Sequence, residues 1–132
     1  MAIYFNFLNM FKSLLVIAMG GAIGSVCRYL LQVGIGKISS MSFPFGTLIV
    51  NILGCFLIGL LFGLTVKMPQ ISMQWRLFLV TGICGGFTTF SSFSIESVSL
   101  IMERNYLYFF TYLGCSILLG LLATWVGIIL LE

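Results

Sequence analysis

The chain has 132 residues, 61% of them hydrophobic and 7% charged, with a mean hydropathy of +1.21 and a formal net charge of +3. Soluble domains carry roughly 25% charged residues, so this is the composition of an integral membrane protein, too short to add a separate soluble domain. Histidine and aspartate are absent, and the carboxylate side chains are Glu96, Glu103 and Glu132. That removes the usual groups for acid–base, metal-ligand and triad chemistry, and an enzyme is not expected. The six cations are scattered, so neither nucleic acid nor a phosphoinositide surface is an expected partner.

Met1 to Lys12 is apolar and aromatic, interrupted by Asn6 and Asn9. No small-residue cleavage site closes the run that follows, so it reads as an interfacial lead-in, not a signal peptide. The first span is expected over 13–33. Gly20, Gly21 and Gly24 give it the small-xxx-small spacing that admits a close neighbour. Arg28 lies near its far end, either snorkelling to headgroups or anchoring to carbonyls of another helix. A Gly- and Ser-containing loop with Lys37 runs to Pro44.

The second span, 45–66, has 22 residues without a charge, enough to cross a hydrocarbon core of about 30 Å. Asn51 is its one amide, and Thr47 stands one turn earlier on the same face. Alone, such an amide reads as glue between helices. Lys67 to Arg76 forms a loop broken by Pro69, with Trp75 as an interfacial residue. The third span is expected over 75–102 and the fourth over 106–131, with Glu103, Arg104 and Asn105 between them. Tyr108, Tyr112 and Ser116 follow each other at four-residue spacing. The four cysteines, Cys27, Cys55, Cys84 and Cys115, fall one per span and read as small apolar residues.

The third span carries the odd stretch, Gly85-Gly86-Phe87-Thr88-Thr89-Phe90-Ser91-Ser92-Phe93-Ser94. Glycines loosen a helix and hydroxyls compete for its backbone groups. In lipid such backbone is tolerated only where it is buried in protein or lines a cavity. Small-residue packing is the plain explanation. A broken helix whose freed carbonyls face a ligand is the functional one. Beyond it, Thr89, Ser92 and Glu96 fall on one face, and Glu96 is expected near water at the end of the span.

Four spans place the N-terminus, the second loop and the C-terminus on one side. That side holds Lys12, Lys67 and Arg76, against Lys37 and Arg104, with Arg28 if it snorkels there. Orientation follows the Lys/Arg asymmetry, and here there is almost none. Dual topology and an oligomer are therefore expected.

These residues resemble the fluoride channel family called Fluc or CrcB. The likeness covers nearly the whole chain. It rests on the glycine-rich first span with Arg28, on Pro44-Phe45-Gly46-Thr47 leading to Asn51 and Gly54, and on the stretch from Gly85 to Ser94 followed by Glu96. Phe87 stands where that pattern usually has leucine. The resemblance implies an all-α membrane protein of four transmembrane helices with a broken third, forming an antiparallel dual-topology homodimer. Two pores would export fluoride across the plasma membrane of a prokaryote. It also implies a sodium ion at the dimer centre, held by the backbone carbonyls of Gly85 and Thr88. Phe90 and Phe93 correspond to pore phenylalanines and Asn51 to the pore amide. Thr89, Ser91, Tyr112, Ser116 and Glu96 are implied as further polar groups of the pore, and Arg28 as a structural anchor.

The residue chemistry agrees with that implication. A pore for a small, strongly hydrated anion must replace lost water with donors, which Asn51 and the Ser and Thr hydroxyls carry. The positive edges of aromatic rings can face an anion, and neutral donors hold it weakly enough to leave. A small multidrug-resistance-like exporter shares the four helices and dual topology. Proton coupling there needs a membrane-embedded carboxylate, which the first span lacks. A non-transporting assembly subunit would account for the glycines but not for donors gathered around two phenylalanines.

Overall fold

The computed structural model describes residues 2–38 and 43–131, with side chains from residue 8 onward in the first helix. Part of the expected lead-in, positions 39–42 of the first loop, and Glu132 lie outside that description. Helix α1 is Ala2–Ile38 and α2 is Phe45–Lys67. Next come a short α3, Met73–Arg76, a wide-turned π-helical segment, Leu77–Cys84, and a single turn, α4, Gly85–Phe87. Helices α5, Phe90–Met102, and α6, Tyr106–Ile129, complete the order. The described residues are otherwise turns and connections, with no strand.

Among the described residues, four helical stretches are long and apolar enough to cross a membrane: Leu8–Ile38, Phe45–Lys67, Met73–Met102 and Tyr106–Ile129. The 23 residues of α2 extend about 34 Å at 1.5 Å per residue, close to one hydrocarbon thickness. The 37 residues of α1 extend about 55 Å, so this helix overhangs the expected 13–33 span at its ends. Apolar runs without a partner strand become helices in lipid because only there does each backbone group bond within its own segment. Pro69 stops α2, and Ser72 accepts from the amide of Trp75 to start the next helical stretch.

Two helix pairs build the fold. α1 lies along the π-helical segment and α4, while α2 lies along α6. Both pairs close through glycine. A Cβ on Gly20 would sit 2.5 Å from the carbonyl oxygen of Phe78, and one on Gly24 would strike the carbonyl oxygen of Ile83. Gly59 and Gly127 play the same part between α2 and α6, against the carbonyls of Thr124 and Phe56. Without a hydrophobic drive between helices in lipid, such backbone proximity supplies the dispersion contact that holds them together.

The turn between α5 and α6 reverses the chain through Arg104, whose φ of 59° is left-handed. The amide of Asn105 bonds the carbonyl of Leu100 and that of Arg104 the carbonyl of Ile101, closing the last turn of α5. This sets α5 against α6. An aromatic row then runs through their contact: Phe90, Phe93, Tyr112, Phe43 and Tyr108, with successive ring centroids 5.1 to 5.7 Å apart.

Candidate functional site

Within the Met73–Met102 stretch, helical dihedrals lapse at two residues. Thr88 has φ −80° and ψ 157°, and Thr89 has φ −151° and ψ 114°. Extended backbone here leaves peptide groups without intrahelical partners, and each must find another. Asn51 takes both groups of Thr89. Its Oδ1 accepts from the Thr89 amide at 2.8 Å, and its Nδ2 donates to the Thr89 carbonyl at 3.1 Å. One N–H of the Asn51 amide remains beyond that pairing.

The diverted Thr89 amide is the donor that a continuous helix would have sent to the carbonyl of Gly85. The Thr88 carbonyl accepts from Arg28 Nη1 at 3.3 Å. Thr88 itself folds back, its amide and its hydroxyl both donating to the Cys84 carbonyl at 3.0 Å. Arg28 therefore anchors α1 to the interruption, the second of the two roles open to it. Thr89 also caps α5: its Oγ1 accepts from the Ser92 amide at 3.2 Å and lies within 3.2 Å of the Ser91 and Ser92 hydroxyls.

A cleft of about 490 Å³ opens at this point. Asn51, Gly54 and Cys55 of α2 form one wall; Gly85, Thr88 and Thr89 form another, with Phe90, Phe93 and Ser116 beside them. Gly54 leaves space for the methyl group of Thr88. Phe90 is 79% exposed at the rim, with one side of its ring against Phe93. Phe93 is half-buried and packs against Tyr112. The Ser116 hydroxyl is enclosed and has no hydrogen-bond partner among the described residues.

Tyr112 and Glu96 do not line this cleft. Tyr112 is fully buried, and its hydroxyl donates to Glu96 Oε2 at 2.7 Å. Thr47, 1% exposed, donates to Glu96 Oε1 at 2.7 Å and receives Gln32 Nε2 at 3.1 Å. Glu96 is thus half-buried and engaged on both oxygens, where the sequence placed it nearer water. It borders a second, smaller cleft with Pro44, Ser99 and Glu103. Phe93 lines the first cleft and packs on Tyr112, whose hydroxyl reaches Glu96 at the second.

The structure brings Asn51, Gly85, Thr88, Thr89, Phe90, Phe93 and Ser116 together, with Ser91 hydrogen-bonded to Thr89 and Arg28 to Thr88. Thr47 and Gln32 were not among the expected site residues. Thr47 was marked by its place in Pro44-Phe45-Gly46-Thr47, one turn before Asn51, and Gln32 only by lying one turn after Arg28. Among the described residues no three His, Cys, Asp or Glu side chains gather as a metal site. A cation at this place would have backbone oxygen as its ligand. The carbonyls of Gly85 and Thr88 suit a hard cation, since the first lacks its helical donor and the second keeps a lone pair beyond Arg28.

The model of the family described as CrcB-like protein, Camphor Resistance (CrcB), matches residues 15–128. A protein of Phocaeicola vulgatus named Fluoride-specific ion channel FluC is 50% identical over 121 residues, 92% of this chain and 99% of that protein. Proteins of the same name from Flavobacterium psychrophilum and Leptospira interrogans are 46% and 42% identical. Those matches cover 92% and 95% of this chain and 98% of each relative.

Proposed function

The chain belongs to the CrcB family, is a multi-pass membrane protein of prokaryotic type, and on that premise we propose that it is a fluoride-selective channel. The observation that carries the mechanism is the interruption at Thr88–Thr89, held by Asn51 at the wall of the large cleft. A half-helix N-terminus inside a membrane favours an anion through its free amides and the positive end of its dipole. Helix α5 begins there, with Phe90 and Ser91 at its first positions. The remaining N–H of Asn51 and the unpartnered Ser116 hydroxyl add neutral donors, and Phe90 and Phe93 add ring edges.

In this reading fluoride enters the large cleft, sheds water against Asn51 and Ser116, and passes Phe93. It leaves past Tyr112 and Glu96 toward the smaller cleft. Each contact is weak, which lets the ion depart. The interruption serves as a membrane-embedded break in the third helix. Two antiparallel copies, inserted with dual topology because the cations give no bias, form the working homodimer. Carbonyls of Gly85 and Thr88 from both copies would hold a sodium ion, which would supply fixed positive charge near both anion paths. Gly85 is exposed and a Cβ there would meet nothing closer than 3.9 Å within the protomer. A second copy at that face is the steric reason for glycine.

Fluoride efflux from liposomes holding the purified protein tests this directly. Fast efflux independent of a proton gradient, with chloride retained, is the expected result. Proton-coupled flux would instead make it an exporter, and no flux would leave an assembly subunit.

A further inference from the structure

We propose that Gln32 is a positioning residue, whose amide sets the direction of the Gln32–Thr47–Glu96–Tyr112 hydrogen-bond chain. Gln32 lies on α1 one turn beyond Arg28, with its stem across Gly46, where a Cβ would lie 3.5 to 3.7 Å from Gln32 atoms. Its Nε2 can only donate, so the lone pair it takes on Thr47 Oγ1 is closed to any other donor. The single proton of the Thr47 hydroxyl is then directed to the other side, onto Glu96 Oε1. The Tyr112 hydroxyl supplies Oε2. Both carboxylate oxygens are thereby occupied by hydroxyl protons, and Glu96 is pinned between α2 and α6.

Without the Gln32 donor, the Thr47 hydroxyl regains the option common to threonine in helices, donating to a carbonyl one turn back. Glu96 would then hold one donor in place of two, and its free oxygen could swing toward the smaller cleft. A carboxylate freed in this way opposes an anion crossing the same region. Gln32 lines neither cleft, and its hydrogen bond goes to Thr47, so in this proposal it acts through Thr47. The transport consequence rests on the fluoride-channel reading; the hydrogen-bond direction does not.

The experiment uses full-length protein in liposomes and compares wild type, Gln32→Met, Thr47→Val and the double variant. Gln32→Met keeps length and loses the donor. We expect fluoride efflux to fall about fivefold in Gln32→Met, the worth of one neutral hydrogen bond. The double variant should be no slower than Thr47→Val alone, because the first change acts through the second residue. In parallel, the infrared carboxylate band of Glu96, isolated by subtracting a Glu96→Gln sample made in the same background, should shift in Gln32→Met and in Thr47→Val. Effects that multiply in the double variant, or a carboxylate band unmoved in Gln32→Met, overturn the proposal. If wild type passes no fluoride, the channel reading fails while the band still decides the role of Gln32.

Discussion

Asn51 is bound on both sides of its amide, so its replacement touches structure and passage together. In Asn51→Asp an ionised carboxylate would keep the contact with the Thr89 amide and set an oxygen against the Thr89 carbonyl. The lost bond and the unpaired carbonyl cost about 1–3 kcal/mol. Asn51→Asp should therefore abolish fluoride flux and lower the unfolding midpoint in detergent; unchanged flux would take Asn51 out of the path. Phe90 and Phe93 separate differently. Phe90 is mostly exposed at the end of the aromatic row, whereas Phe93 rests on Tyr112 within it. Phe93→Ile should cost under about 1.5 kcal/mol by volume and still strongly reduce flux, because the ring edge is gone. Phe90→Ile should leave protomer stability unchanged and reduce flux too. Wild-type rates in both would return these rings to plain packing.

The helices meet through glycine, and the contact between α1 and the third span decides whether the interruption is held in place. Gly24→Val would drive a side chain into the Ile83 carbonyl, and overpacking of that kind costs about 1–3 kcal/mol. Gly34→Ala on the same helix meets nothing within 4 Å and serves as the control. Thermal unfolding in detergent should separate them by several degrees, and equal midpoints would remove the α1 contact from the stability of the fold. The interruption carries a second consequence. If carbonyls of Gly85 and Thr88 hold sodium, prolonged purification in a large organic cation should destabilise the dimer and slow fluoride efflux, and sodium should restore both. A protein indifferent to that exchange would leave water as the partner of those carbonyls.

For the whole molecule the decisive quantity is the near balance of cations between its two sides. Two or three lysines added in the loop between α2 and α3 should impose one orientation on insertion. An antiparallel dimer then lacks its partner. The biased protein alone should be inactive, and co-expression with a copy biased the other way should restore fluoride efflux. Full activity from a singly oriented population would defeat the antiparallel arrangement.

Composition and apolar run length alone were enough for an all-helical membrane protein of four spans, because lipid leaves an unpaired backbone almost no other form. The stretch from Gly85 to Ser94 marked where helix would be hard to keep, since its glycines and hydroxyls weaken the helix locally. Partners were another matter. That Asn51 would bracket Thr89, that Arg28 would reach the Thr88 carbonyl, and that Glu96 would draw on Thr47 and Tyr112 depends on contacts 16 to 60 residues apart. Helical periodicity orders a face one turn at a time but does not say which face it meets. The glycine contacts between helices make that choice, and they put Gln32, which no motif had marked, onto the Thr47 hydroxyl.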